Sequence, residues 1–269
     1  MPLPGTVRAL YGNLQEGSPG ASECERRSSG GLPSVSEYKK GLSLKDGAGK
    51  ETKVYMGKNL TLGELTAKPG EKVSGWLHIA DSGLEIPVSL ICGMQDGPTV
   101  LVTGGIHNAE YVGIQAAIEL REELKPSQMR GKVILFPLVN RTGFEHRTMS
   151  MVYEDGKNIN REFPGDPSGT LTEQICHTFV DKVFPQVDYY IDLHCGDGYE
   201  ELYPHVYTLG AASPKVNQAS DAMARAVNVK FRYPSQNPSG GSYNQAGSMG
   251  VPGILLERGG RSVWSREEV

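Results

Sequence analysis

The sequence lacks any long hydrophobic run and any sustained run of Lys and Arg. No apolar stretch approaches the ~20 residues that span a bilayer, so no membrane segment is predicted. The 27 Lys and Arg residues face 31 Asp and Glu residues, and this balance without a basic patch argues against nucleic acid or an anionic membrane as partner. The amino terminus has no basic start followed by an apolar segment, so a secretory signal is not predicted and a cytoplasmic location is expected.

Closely spaced cysteines are also missing. The four cysteines, Cys24, Cys92, Cys176 and Cys195, have none of the two-residue spacings of a zinc knuckle or a redox pair. Cys195 adjoins His194 and could be a reactive thiol, but the role of a small packing residue is favoured.

The composition changes along the chain. Residues 1–50 are rich in Gly, Ser, Pro and scattered charge and show no periodicity, which predicts a disordered or loosely packed segment. Residues 51–269 carry the apolar patterns of a globular domain. Ser265 and Glu268 have the spacing of a helix capping box, yet only Val269 follows, so the sequence looks truncated.

Strand and helix patterns alternate in this second part. Two apolar runs flank the turn Asp81-Ser82-Gly83, which predicts a β-hairpin. Further strands are predicted at residues 99–105, 132–140, 187–194, 229–233 and 253–257. Helices are predicted at about residues 109–124, from Thr170 and from Ser213-Pro214. The pattern predicts an α/β fold with a mainly parallel mixed sheet, helices on both faces and the antiparallel hairpin at the edge.

Polar side chains occur where several of these strands end. Sites in open α/β sheets form outside the carboxyl ends of the strands. His107, His194 and Glu257 each lie at or just after such an end. We therefore expect a functional site at this edge.

The stretch GGIHNAEYVG places His107 and Glu110 three residues apart at a strand-to-helix turn. If residue 107 begins a helical turn, both side chains project the same way. A catalytic zinc ion takes three protein ligands from His and carboxylate side chains, and His194 is the natural third ligand. Asp192, on the same strand face as His194, could orient that imidazole.

The same residues have simpler interpretations. A single His-x-x-Glu spacing arises by chance in many proteins, and Glu110 could merely complement a helix amino terminus. A histidine at a strand end is more often hydrogen-bonded at the surface than bound to a metal. From their chemistry alone, the metal site and the structural interpretation both remain open.

Two arginines and an asparagine could bind an anionic group. Asn160 and Arg161 lie together in the polar loop DGKNINREFPGD, and their amide and guanidinium could hold a carboxylate. Arg147 offers a second cation, although exposed loop charge is the usual state of a single arginine. Glu257 ends the apolar run GILLE and suits a general base, while an ion pair with Arg258 is the alternative.

Taken in order, the motifs GGIHNAEYVG, NINREFPG, IDLH and GVPGILLERGG resemble those of one protein family. This is the succinylglutamate desuccinylase/aspartoacylase family of the zinc carboxypeptidase-like superfamily, and the resemblance covers roughly residues 54–269. It implies that residues 51–269 form a zinc hydrolase catalytic domain, truncated before a carboxyl-terminal β-rich domain. The implied roles are zinc binding by His107, Glu110 and His194, acid/base catalysis by Glu257, substrate-carboxylate binding by Asn160 and Arg161, and carbonyl polarisation by Arg147.

The activity implied by the resemblance is hydrolysis of an amide bond with one zinc ion as cofactor. The expected substrate is a small N-acyl amino acid or a related acylated amine that carries a carboxylate. A metallocarboxypeptidase acting on peptides could use the same residues, and a metal-binding protein without catalysis is a third possibility. The sequence does not separate the first two, and it does not predict the oligomeric state.

Overall fold

The computed structural model describes residues 41–45, 51–55, 57–80 and 82–269. Most of the segment predicted to be loosely packed lies outside these ranges, as does Asp81 of the predicted hairpin turn. Strand β1 (Gly41–Lys45) pairs antiparallel with β2 (Glu51–Tyr55), a ribbon for which the sequence analysis had no strand.

A mixed sheet of eight strands forms the centre of the described structure. In chain order its strands are β5 (Lys72–Ile79), β6 (Leu84–Cys92), β7 (Gln95–Gly104), β8 (Arg130–Phe136), β9 (Tyr189–His194), β10 (Glu201–Leu209), β11 (Phe231–Ser235) and β12 (Gly253–Gly260). Across the sheet they follow the order β11-β10-β12-β9-β7-β8-β6-β5. The short strands β3 (Leu60–Leu62) and β4 (Leu65–Ala67) form a separate antiparallel pair.

The strand directions confirm the predicted α/β architecture. Strands β12, β9, β7 and β8 run parallel, and β5 and β6 form the antiparallel hairpin at one edge. The sequence did not predict strand β10. This strand pairs antiparallel with β12 and parallel with β11. Its pattern was hidden because Pro204 interrupts the run and Tyr203 is exposed.

Six α-helices accompany the sheet in the described part of the chain. They are α1 (Tyr111–Glu123), α2 (Arg141–His146), α3 (Ile159–Glu162), α4 (Leu171–Thr178), α5 (Pro214–Ala226) and α6 (Ser242–Ser248). Helices α1, α4 and α5 match the three predicted helices. At the start of α4 the Glu173 carboxylate accepts the Thr170 backbone N–H at 2.7 Å, which is the reciprocal hydrogen bond of a capping box.

Buried side chains form a core on each face of the sheet. Successive residues of a strand point to opposite faces, so Leu101 packs in the core that contains Phe179, while Val102 packs with Leu120 of α1. Both faces are therefore covered, as the sequence predicted. Among the residues the structure describes, no helix is both long enough and apolar enough to cross a bilayer.

The start of α1 approaches the end of β9 closely. A Cβ atom on Gly113 would overlap the carbonyl oxygen of Leu193, so glycine permits this approach. Gly105 has a φ of +62°, which turns the chain sharply after β7. This packing brings Glu110, the residue before α1, to the strand end that carries His194.

Candidate metal centre and active site

Three side chains converge at the carboxyl edge of the sheet. His107 Nδ1 lies 2.7 Å from Glu110 Oε1, and His194 Nδ1 lies 2.7 Å from Glu110 Oε2. The two imidazole rings meet edge to face with their centroids 5.0 Å apart. One donor atom from each residue falls within 4.8 Å of the other two, so the three predicted ligands could share one ion.

The orientation of His194 is fixed from the other side of its ring. Its Nε2 lies 3.1 Å from Asp192 Oδ2, an acceptor that leaves Nδ1 facing Glu110. Asp192 in turn accepts hydrogen bonds from Thr103 Oγ1 at 2.6 Å and from Ser242 Oγ at 2.5 Å. The Thr103 hydroxyl also bonds to the Tyr190 hydroxyl at 2.8 Å. This buried network has the form of the outer hydrogen bonds that orient metal-binding histidines.

The orientation of His107 depends on Asn158, a residue that the sequence analysis missed. His107 Nε2 lies 3.1 Å from Asn158 Oδ1, and the same oxygen accepts the backbone N–H of Asn160 at 2.8 Å. Asn158 is the residue that caps α3. The one available signal was an asparagine at a helix start two residues before the predicted Asn160.

The charges of the cluster favour a cation between its side chains. Burial favours the neutral form of Glu110, but His194 and His107 lower its pKa to about 2. Burial alone would lower the pKa of His194, but Glu110 and Asp192 raise it well above its ordinary value. The Cys195 backbone N–H adds a third donor to the Glu110 carboxylate at 3.2 Å. An ionised carboxylate between two imidazoles is a donor set that suits zinc.

Glu257 lies beside this cluster on β12, in register with His194 on β9. Burial raises the pKa of Glu257 to about 8, and the Glu110 charge acts in the same direction while His194 opposes it. Its Oε2 is buried without a hydrogen-bond partner among the described residues. Arg258, the alternative ion-pair partner, instead pairs with Glu268 at 2.9 Å. A carboxyl group poised near neutral pH suits proton transfer.

A cavity of about 620 Å³ joins these groups. The predicted site residues that line it are His107, Glu110, Asn160, Arg161, His194 and Glu257. His205 and Tyr207 of the unpredicted strand β10 also line it. A larger cavity of about 850 Å³ lies at the opposite, amino ends of the strands and includes none of the predicted site residues.

Asn160 and Arg161 reach the cavity in different ways. Asn160 is buried, and its Oδ1 accepts the Ser242 backbone N–H at 2.9 Å. Its Nδ2 lies 3.3 Å from His194 Nε2. Arg161 is exposed, with Nη1 donating to the Asn160 carbonyl at 2.7 Å. Asn160 Nδ2 and the remaining guanidinium N–H groups are the donors available to a bound anion.

Arg147 lies elsewhere. It caps the carboxyl end of α2 with a left-handed φ of 58°, and its side chain is exposed. It is not among the described residues that line the cavity. Its role in polarising a carbonyl stays a prediction.

The cysteines that the structure describes are free and buried. Burial raises the pKa of the Cys195 thiol to about 12, so the thiol is protonated at neutral pH. Cys195 therefore packs beside the ligand cluster without thiolate character. Cys24 lies outside the described residues.

The fold and the cluster define an α/β protein with a candidate three-ligand metal centre at the carboxyl edge of its sheet. A family model described as the succinylglutamate desuccinylase/aspartoacylase catalytic domain matches residues 96–269. The chain therefore belongs to this family, as the resemblance of its motifs predicted.

Individual proteins show the same relationship. The N-alpha-acetyl-L-2,4-diaminobutyric acid deacetylase of Halomonas elongata is 40% identical over 121 residues, which are 44% of this chain and 34% of that protein. A solved succinylglutamate desuccinylase/aspartoacylase from Rhodobacter sphaeroides is 27% identical with a TM-score of 0.65, covering 74% of this chain and 61% of that one. The product-bound ectoine utilization protein EutE (DoeB) from Ruegeria pomeroyi is 27% identical with a TM-score of 0.66, covering 73% and 62%. The chain thus spans about a third of the curated relative and about three fifths of the two solved structures.

Proposed function

We propose that this chain forms the catalytic part of a zinc-dependent deacylase that hydrolyses the amide bond of a small N-acyl amino acid. The observation that carries the proposal is the convergence of His107, Glu110 and His194 beside Glu257 in one cavity. The family and the deacetylase activity in the name of the Halomonas relative support an amide substrate.

His107, Glu110 and His194 are the residues that would hold the ion. Zinc, when bound, supplies positive charge that polarises a carbonyl and lowers the pKa of water towards ~7. Asp192 and Asn158 keep the two imidazoles turned with Nδ1 towards Glu110. The protein thus arranges its donors before the ion arrives, which limits the reorganisation that binding requires.

Glu257 is the group that moves the proton. In its ionised form it accepts a proton from the attacking water, and it returns that proton to the departing amine nitrogen. Burial raises its pKa to about 8 in the metal-free protein, and the charge of a bound zinc ion would lower that pKa and favour the ionised form that accepts the first proton. The buried, unpartnered Oε2 described above is free for this exchange.

Arg161 and Asn160 orient the substrate. The guanidinium binds a carboxylate through paired N–H groups, and Asn160 Nδ2 adds a donor nearer to His194. Holding the carboxylate at one side of the cavity places the amide carbonyl over the ligand cluster. Arg147 lies outside the cavity lining, and the proposal does not depend on it.

The proposal is tested by assaying the zinc-loaded protein against N-acetyl amino acids and short peptides for release of free amines. We expect hydrolysis of N-acetyl amino acids, whereas a preference for peptides would favour a carboxypeptidase. In Glu257→Gln, kcat should fall by about 10²- to 10⁴-fold while the zinc content stays unchanged.

The matched control is Glu145→Gln, which alters an exposed carboxylate paired with Arg141 at 2.8 Å. It should retain full turnover. Normal turnover in Glu257→Gln would remove Glu257 from the mechanism. Failure to hydrolyse any N-acyl amino acid would refute the proposed activity.

A further inference from the structure

The imidazole of His205 lies beside Glu257 in the cavity. Strand β10 pairs antiparallel with β12, and His205 is the residue opposite Glu257 in that register. Glu257 in turn is opposite His194 of β9, so the three side chains form one row on the same face of the sheet, and all three line the cavity. Side chains directly opposite each other on antiparallel strands have Cβ atoms ~4.5–5.5 Å apart. His205 therefore adjoins Glu257 on the side away from His194.

A β-bulge gives His205 this position. Leu202 is opposite Gly259 and His205 is opposite Glu257, so β10 has one residue more than β12 between these two pairs. Without the extra residue, Pro204 would be opposite Glu257, and the His205 ring would point to the other face of the sheet. Bulges are frequent beside active sites, where they redirect a side chain. The irregularity in β10 thus turns an imidazole towards the cavity in place of a proline ring.

The hydrogen bond made by His205 determines which ring nitrogen carries the proton. Nδ1 lies 2.8 Å from the backbone carbonyl oxygen of Tyr203. A carbonyl oxygen only accepts, so Nδ1 is the donor, and Nε2 of the neutral imidazole is left as an acceptor. Nε2 has no hydrogen-bond partner among the described residues. The rings of Tyr207 and Tyr233 pack edge to face against the imidazole, with centroids at 5.1 and 5.5 Å, and hold its lone pair in place.

An N-acyl amino acid has one hydrogen-bond donor at the bond that breaks, the amide N–H. When the water oxygen bonds to the carbonyl carbon, the nitrogen becomes tetrahedral, and its lone pair must face the proton that Glu257 holds. The N–H then points to a second place, and two partners at ~2.9 Å from one tetrahedral nitrogen lie about 5 Å apart. This is the spacing of opposite side chains on paired strands. Of the proposed carboxylate-binding pair, Arg161 only donates, and Asn160 Oδ1 already accepts the Ser242 N–H.

We propose that His205 is a substrate-binding residue that accepts the N–H of the scissile amide at Nε2. The proposal rests on the proposed function and adds to it the group that recognises the leaving nitrogen. His205 neither gains nor loses a proton: the proton of the water passes to Glu257 and then to the nitrogen as the C–N bond breaks. The hydrogen bond to Nε2 turns the nitrogen lone pair towards Glu257. An ester, which has an oxygen in place of the N–H, would set two lone pairs against each other there.

The test compares kcat/KM for N-acetyl-L-alanine and for its ester isostere, O-acetyl-L-lactate, in the zinc-loaded protein. The variant is His205→Phe, which keeps a ring against Tyr207 and Tyr233 but has no acceptor. We expect kcat/KM for the amide to fall by about tenfold, the size of one hydrogen bond, and kcat/KM for the ester to stay unchanged. A variant that only disturbed the packing of the cavity would lose activity on both substrates alike.

Two further variants assign the effect to the acceptor. His205→Gln should restore most of the amide-to-ester ratio, because its side-chain oxygen can take the place of Nε2. His146→Phe is the matched control. The His146 Nδ1 lies 2.9 Å from the Thr142 carbonyl oxygen and its ring stacks on Tyr153, but His146 lies outside the described cavity lining. This control should leave both kcat/KM values unchanged.

An unchanged amide-to-ester ratio in His205→Phe would overturn the proposal, and so would an equal loss on both substrates. If neither substrate is hydrolysed, the proposed function fails, and calorimetry then decides the role of His205. The ligands are N-acetyl-L-alanine and 2-methyl-4-oxopentanoate, in which a CH₂ group replaces the N–H. Tighter binding of the amide that is lost in His205→Phe would support the proposal. Equal affinities, or binding of neither ligand, would refute it.

Discussion

Replacing Asp192 by Asn should weaken both the fold and the metal centre. The Asp192 carboxylate is fully buried. It accepts hydrogen bonds from Thr103 at 2.6 Å and Ser242 at 2.5 Å, and it lies 3.1 Å from His194 Nε2. An amide of the same shape replaces one acceptor oxygen by a donor NH₂, so in either orientation at least one buried donor loses its acceptor. Such an unsatisfied group costs ~1–3 kcal/mol, and Tm falls by about 2–4 °C per kcal/mol in a domain of this size.

The zinc affinity should also fall, and by more than the loss of stability alone would cause. His194 loses the acceptor that holds its Nε2, and changes of this kind weaken metal binding by about 10- to 100-fold. Calorimetric unfolding of the metal-free protein measures the first effect, and competition with a chelator measures the second. The control is Asp188→Asn, which alters an exposed carboxylate that accepts the Thr99 N–H at 2.8 Å at the other end of β9. Unchanged zinc affinity in Asp192→Asn, with a lowered Tm, would refute the orienting role.

Three further predictions concern packing, pH and the thiol. Gly113→Ala should lower stability by about 1–3 kcal/mol and weaken zinc binding, because the added Cβ overlaps the Leu193 carbonyl; Gly198→Ala, with only ordinary contacts, is the calorimetric control. The pKa of Glu257 is raised to about 8 in the fold, so its contribution to the stability of the metal-free protein is fully present below pH 4.5 and is lost as pH rises through 8. The free energy of unfolding should therefore fall more steeply with pH over this range than it does in Glu257→Gln. Parallel pH dependences of the two proteins would contradict the prediction. Cys195→Ser should keep zinc affinity and turnover, since a protonated, buried thiol takes no part; loss of turnover with zinc retained would contradict this.

The position of the site could be predicted because it follows from strand direction. Parallel strands end at a common edge, so His194 and Glu257 had to lie near the turn that carries His107 and Glu110 once all were assigned to strand ends. Apolar runs mark buried parallel strands clearly in a sequence. The fold class could therefore be predicted from the apolar runs of the strands and the helical periodicity between them.

The remaining features depend on contacts between distant parts of the chain, which no local sequence pattern indicates. The sequence did not predict strand β10 because Pro204 and the exposed tyrosines are typical of a loop. His205 lies on this strand, so its place in the cavity lining was missed as well. Asn158 looks like any helix cap until the tertiary fold brings His107 against it. Arg147 belongs to none of the four motifs and its exposed side chain lies outside the described cavity lining, so its role stays a prediction.

A single atom, Asn158 Oδ1, accepts hydrogen bonds from the His107 ring and from the first turn of α3. That turn also holds Arg161. The Asn158 side chain therefore contacts both a proposed zinc ligand and the turn that carries the residues expected to bind a carboxylate. Loss of the Asn158 amide should therefore disturb both groups at once.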